Sequence, residues 1–137
     1  MIVDFAELNP EELVKAVNDM VEDGEFPILT GMQVIGCGGT GIVLSSGSLP
    51  FVNGQSFAQV GLTQYNIPAC SHGCVVCPHN CFGVFVTGSM TRFIHGAPVV
   101  IMGSHGVHTG CCGPNTATAT EALFTPVQIE DVFAMAH

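Results

Sequence analysis

Between residues 9 and 24 the apolar positions Leu13, Val17, Met20 and Val21 recur at the spacing of one helix face, with acidic and polar residues between them. Asn9-Pro10-Glu11-Glu12 supplies the start. Asn9 caps, Pro10 suits the first helical position, and Glu12 stands where a capping-box acid reaches back to the cap. Gly24 closes the helix, because glycine tolerates the left-handed backbone that ends one. The pattern predicts one short amphipathic helix, acidic on its outside, packed on its own domain or on a neighbouring subunit. A docking helix for a partner is the functional alternative.

From Phe26 onward the period changes. Short runs rich in Val, Ile, Phe and Thr alternate with glycine-containing turns, which predicts β structure for the rest of the chain. Two segments are alike, 47–61 and 88–103: each runs Gly-Ser, short strand, Asn53-Gly54 or His95-Gly96, second strand, glycine. Asn-Gly is a strong hairpin signal because a type I′ turn needs positive φ at both central residues, and His-Gly fills the slot less comfortably. A third hairpin is expected to be split between the chain ends, with Leu123-Phe124-Thr125-Pro126-Val127 returning against 26–35. The expected body is three hairpins joined by three Gly/Cys-rich loops.

Charge divides the chain at the same place. Of its 137 residues 47% are hydrophobic and only 9% charged, with a formal net charge of −9. Residues 1–25 hold eight of the eleven acids, and 26–120 hold none and a single base, Arg92. This argues against a disordered chain and against a nucleic-acid binder. No apolar run reaches the ~20 residues of a spanning helix, and the acidic start is the opposite of a signal-peptide n-region. Synthesis in the cytoplasm without a signal peptide is expected, with 1–25 an acidic helical extension and 26–137 a β domain.

In a reducing compartment seven Cys and six His suggest metal ligands and buried thiols rather than disulfides. They fall in the three expected loops: Cys37 in the first; Cys70, His72, Cys74, Cys77, His79 and Cys81 in the second; His105, His108, Cys111 and Cys112 in the third. Hairpins arranged about a pseudo-threefold axis would bring these loops together at one end. Zn²⁺ suits such a donor set, and a closed four-ligand site is structural rather than catalytic. It would add on the order of 10 kcal/mol of metal-linked folding free energy. Iron is less favoured, since the Cys70–Cys81 run lacks the common ferredoxin spacing. Individually, about half of the Cys fit equally well as small buried hydrophobes.

Gly-Ser, strand, Asn-Gly, strand, glycine, then a loop bearing His and Cys, resembles the PAAR-repeat proteins that tip contractile injection machines: type VI secretion systems, contractile phage tails and their extracellular relatives. Cys37-Gly38-Gly39-Thr40-Gly41, Cys77-Pro78-His79 and His108-Thr109-Gly110-Cys111-Cys112-Gly113-Pro114-Asn115 look like the loop signatures of PAAR-like variants. The resemblance covers roughly 28–127. The family's Pro-Ala-Ala-Arg stretch stands here as Ser56-Phe57-Ala58-Gln59 and Ala97-Pro98-Val99-Val100, without its arginine.

The resemblance implies a mainly β, small cone-like domain of three β-hairpins with pseudo-threefold symmetry and metal-stapled loops, preceded by one N-terminal α-helix. It implies a structural, non-enzymatic tip, one per trimer of a VgrG-like β-helical spike, that is assembled on the injection particle and transiently pierces a target membrane. Baseplate or cargo proteins would meet the helix. It also implies an apical zinc, carried onto Cys37, His72, His79 and His108, with Cys77, Cys111 and Cys112 as substitutes. Two rivals remain. A stand-alone zinc-binding interaction module would use the same loops. A Cys-His enzyme, drawn on Cys77/His79 or His108/Cys111, lacks any carboxylate within 26–120 to orient its histidine.

Overall fold

The computed structural model describes residues 3–36, 39–44, 50–70, 79–110 and 113–133. In chain order they form β1 (Val3–Asp4), a 3-10 turn (Phe5–Glu7), α1 (Pro10–Glu22), β2 (Gln33–Gly36), β3 (Gly39–Val43), β4 (Phe51–Val52) and β5 (Gln55–Ser56). Then come β6 (Gln64–Cys70), β7 (His79–Phe85), β8 (Arg92–Ile94), β9 (Ala97–Pro98), β10 (His105–Gly110), β11 (Gly113–Ala119) and β12 (Val132–Phe133). The chain is mainly β with one N-terminal helix. No helix among the described residues is long and apolar enough to cross a membrane.

The helix begins where its local signals place it. Asn9 Oδ1 accepts from the Glu12 N–H at 2.8 Å and the Asn9 N–H donates to Glu12 Oε1 at 3.1 Å, while Gly24, at φ 81°, turns the chain away. Leu13, Val17 and Met20 are each 0% exposed.

Six strands close into an antiparallel barrel in the order β10-β11-β2-β3-β6-β7, which leaves no open edge. Alternation decides which side chains enter it: Val34, Tyr65 and Ile67 are buried, whereas Gln33, Ile35 and Gln64 face out. This corrects the reading of the Cys/His segments as loops between hairpins. Much of that chain is barrel wall: Cys70 ends β6, His79 and Cys81 lie on β7, and His105 and His108 lie on β10. Their local β signal is modest, and tertiary pairing decides the outcome. The Thr-Ala alternation of β11 becomes a strand between β10 and the sequence-distant β2, with Ala117 opposite Gly36.

The two predicted turns form, with φ 53° and 78° at Asn53 and Gly54 and 51° and 82° at His95 and Gly96. Their short hairpins, β4–β5 and β8–β9, stand outside the barrel. Each is extended by a chain terminus: β12 pairs with β4, and β1 runs parallel to β8. The Asp4 carboxylate accepts from the N–H groups of His95 and Gly96, both at 3.1 Å, and so fastens the less favourable turn.

The opposite end of the barrel from its own hairpin turns is closed by three segments. The Ile28 N–H donates to Val100 O, Val100 N–H to Ala58 O, and Ala58 N–H to Ile28 O, each at 2.9 Å. Each segment ends in a glycine of positive φ, at 90° (Gly31), 76° (Gly61) and 88° (Gly103). The N–H of each glycine then reaches the last residue of a barrel strand, Val43, Phe85 or Ala119. Ile28, Ala58 and Val100 face the barrel core.

The neighbouring Leu29, Phe57 and Val99 belong instead to a second core with Phe5, Leu13, Val17, Met20, Val52, Ile94, Leu123 and Val127. The outer side of the ring is therefore covered by α1. Asn18 ties the helix to the C-terminal segment, its Nδ2 donating to Val127 O at 3.1 Å and its Oδ1 accepting from Val127 N–H at 2.8 Å. Arg92 reaches Asp23 at 2.9 Å and Glu25 at 2.7 Å just beyond the helix.

The expected third hairpin takes a weaker form. The Leu123 N–H donates to Pro27 O at 2.9 Å, and the Phe26 and Phe124 rings meet edge to face at 4.9 Å. No ladder joins these two runs among the described residues. Pro27 and Pro126 have no N–H to contribute to one.

Candidate metal centre

The three barrel hairpins, β2–β3, β6–β7 and β10–β11, all turn at the end of the barrel away from the hydrogen-bonded ring. Their last described pairs are Gly36 with Gly39, Cys70 with His79, and Gly110 with Gly113. The chain entering these turns is thus gathered at one end, although its members are far apart in sequence. Cys37, His72, Cys77, Cys111 and Cys112 lie outside the described residues. His79 is placed by its backbone at the start of β7, opposite Cys70. Among the described residues no three His, Cys, Asp or Glu side chains form a metal-binding group.

His108 is the expected ligand whose side chain lies among the described residues. It is 4% exposed, whereas His105, an odd number of residues earlier on the same strand, is exposed and lies 3.3 Å from Thr118 Oγ1 through its Nδ1. Strand alternation separates the two histidines. The Nδ1 of His108 is 2.6 Å from the hydroxyl of Tyr65, and the two rings meet edge to face with centroids 5.6 Å apart.

Glycine makes that contact possible. Tyr65 on β6 stands opposite Gly83 on β7, and the β7–β10 register, with Phe85 opposite Gly106 and Val84 opposite Val107, carries Gly83 towards His108. A Cβ at Gly83 would lie 2.5 Å from both Cζ and the hydroxyl oxygen of Tyr65, and one at Gly106 would also strike the ring. The tyrosine side chain fills the space that two glycines leave empty and is 0% exposed. Phe85 packs on its ring at a centroid distance of 5.3 Å.

Burial, with a smaller contribution from nearby Cys81, pushes the Tyr65 hydroxyl well above its ordinary pKa. It stays a neutral phenol that both donates and accepts. Cys81 is 2% exposed and pairs in register with Ile67. Sequence reasoning placed Cys81 in the second Cys/His segment, outside the zinc set, and did not single out Tyr65. The alternation Gln64-Tyr65-Asn66-Ile67 marks Tyr65 as inward-facing, but no local signal names a partner 43 positions away.

His108 meets two requirements of a metal-ligating imidazole. It is held on an ordered strand, and its Nδ1 is engaged by a hydrogen-bonding group, so that a metal would be taken through Nε2. The rest of the donor set implied for zinc is drawn from chain outside the described side chains. No protein-family model matches the chain, and no curated protein or solved structure does either.

Proposed function

We propose that this chain is a PAAR-like tip: a cone of pseudo-threefold design that caps a trimeric β-helical spike and carries a structural zinc at its apex. The observation that carries the reading is the closed ring of backbone bonds through Ile28, Ala58 and Val100. Three segments, each followed by a glycine turn and a barrel hairpin, suit a trimer whose open strand ends need a cap. All three hairpins run towards the end rich in Cys and His. In this reading His108 is one zinc ligand, with Cys37, His72 and His79 completing the set and Cys77, Cys111 or Cys112 as substitutes. Zinc would be structural, joining loops from distant parts of the chain. The work assigned to the tip is mechanical, with no catalytic step.

One observation favours the second reading, a stand-alone zinc-binding interaction module. The apolar outer side of the ring is already covered by α1, so a spike would meet the helix and the short sheets around it rather than a bare ring.

The deciding experiment mixes the full chain with a trimeric spike protein and measures mass by native mass spectrometry. One copy per three spike chains is expected of a tip. Absence of any complex, with zinc still bound, leaves the stand-alone module.

A further inference from the structure

We infer that Tyr65 is a positioning residue of the metal centre, its hydroxyl holding the His108 imidazole in the orientation and tautomer that present Nε2 to zinc. The inference rests on the zinc reading above and holds for either the spike tip or the stand-alone module.

Metal-binding histidines commonly direct their second ring nitrogen at a carboxylate, a backbone carbonyl or water, which fixes the ring and its tautomer. This chain has no Asp or Glu anywhere in 26–120, so the barrel has no carboxylate of its own to give. At 2.6 Å from Nδ1, the Tyr65 hydroxyl occupies the place such a group would take. A hydroxyl serves both states of the site. It donates to Nδ1 when the ring proton is on Nε2, and it accepts from Nδ1–H when Nε2 is bound to a metal.

The geometry is built to keep the hydroxyl in place. Gly83 and Gly106 form the bed of the ring, Phe85 flanks it, and Tyr65 is fully buried. The bed holds a six-membered ring and does not depend on the hydroxyl, so the oxygen's contribution is separable from packing.

Tyr65→Phe tests this, since it keeps the ring on its glycine bed and removes the hydroxyl alone. Zinc affinity of the full-length protein at neutral pH is measured by competition with a chromophoric chelator. The variant is expected to bind zinc about 10–100-fold more weakly than the parent. Equal affinity overturns the positioning role while leaving the zinc reading intact. Failure of the parent chain to take up zinc overturns the zinc reading and this inference with it.

A second measurement is independent of the variant's folding. In the zinc-loaded parent labelled with ¹⁵N in its histidines, His108 is expected to show a protonated Nδ1 that is slow to exchange and a metal-shifted Nε2. Metal on Nδ1, or a rapidly exchanging Nδ1 proton, overturns the assignment.

Discussion

Gly83 and Tyr65, opposite each other on adjacent strands, share one space: the tyrosine side chain occupies the volume a side chain at 83 would need, with 2.5 Å left between a built Cβ and the ring Cζ. Gly83→Ala therefore forces the ring or the strand to move. Overpacking of this kind costs about 1–3 kcal/mol, and for a domain of this size the melting temperature is expected to fall by about 5–10 °C. Thermal unfolding followed by circular dichroism checks it. A variant that melts with the parent would show that the barrel gives way there freely.

The helix gives a second prediction. Leu13 is fully buried in the core shared with Leu29, Phe57 and Val99, so Leu13→Ala is expected to cost about 2–5 kcal/mol of global stability. Urea unfolding should remain a single transition with a lower midpoint. If residues 1–25 were only an appendage, helix signal would instead be lost in a separate early step and the barrel midpoint would not move.

The two type I′ turns differ in their first residue. His95 holds φ 51° where Asn53 holds 53° in the other, and Asn is the better occupant of that conformation. His95→Asn is expected to raise stability by about 0.5 kcal/mol, since the turn's bonds to Asp4 come from backbone N–H groups that the substitution keeps. Asn53→Ala should lower stability by about 1 kcal/mol. Chemical denaturation of the two variants and the parent gives both differences.

Asp4 sets an acid limit. Burial acts to raise its carboxyl pKa, but N–H bonds from Ala6, His95 and Gly96, with a smaller Coulombic contribution from His95, outweigh it and hold the group below its ordinary 3.8. A carboxyl depressed in the folded state stabilises at pH values above its unfolded pKa, and that contribution is lost as pH falls through the folded value. The stability gap between the parent and Asp4→Asn is therefore expected to be constant near neutrality and to shrink below about pH 4. Denaturation midpoints across pH 2–7 check it, and a gap unchanged down to pH 2 would contradict the assignment.

Some of this protein was legible because adjacent residues encode it. Asn9, Pro10 and Glu12 write a helix start into four positions, and Asn53-Gly54 writes a turn into two, since capping and positive φ are properties of the local backbone. The charge boundary near residue 25 was equally plain, although α1 lies on the β domain as part of one shared core. The histidine most favoured in the third Cys/His segment, His108, is the inward-facing one. Its neighbour His105, equally suited by composition, is exposed, and strand alternation makes the distinction only once β10 is known to be a strand.

Neighbouring residues alone specify the local vocabulary: one capped helix, tight turns, β-type runs, and a body without acids but rich in Cys and His. Tertiary structure decided the rest. The supposed loops became barrel wall because their hydrogen bonds are completed by strands far away in the chain, as β11 is by β2. The Tyr65–His108 contact exists because a side chain missing at Gly83, on the strand between them, lets two rings meet. That meeting depends on three residues that are neighbours only after the barrel has closed.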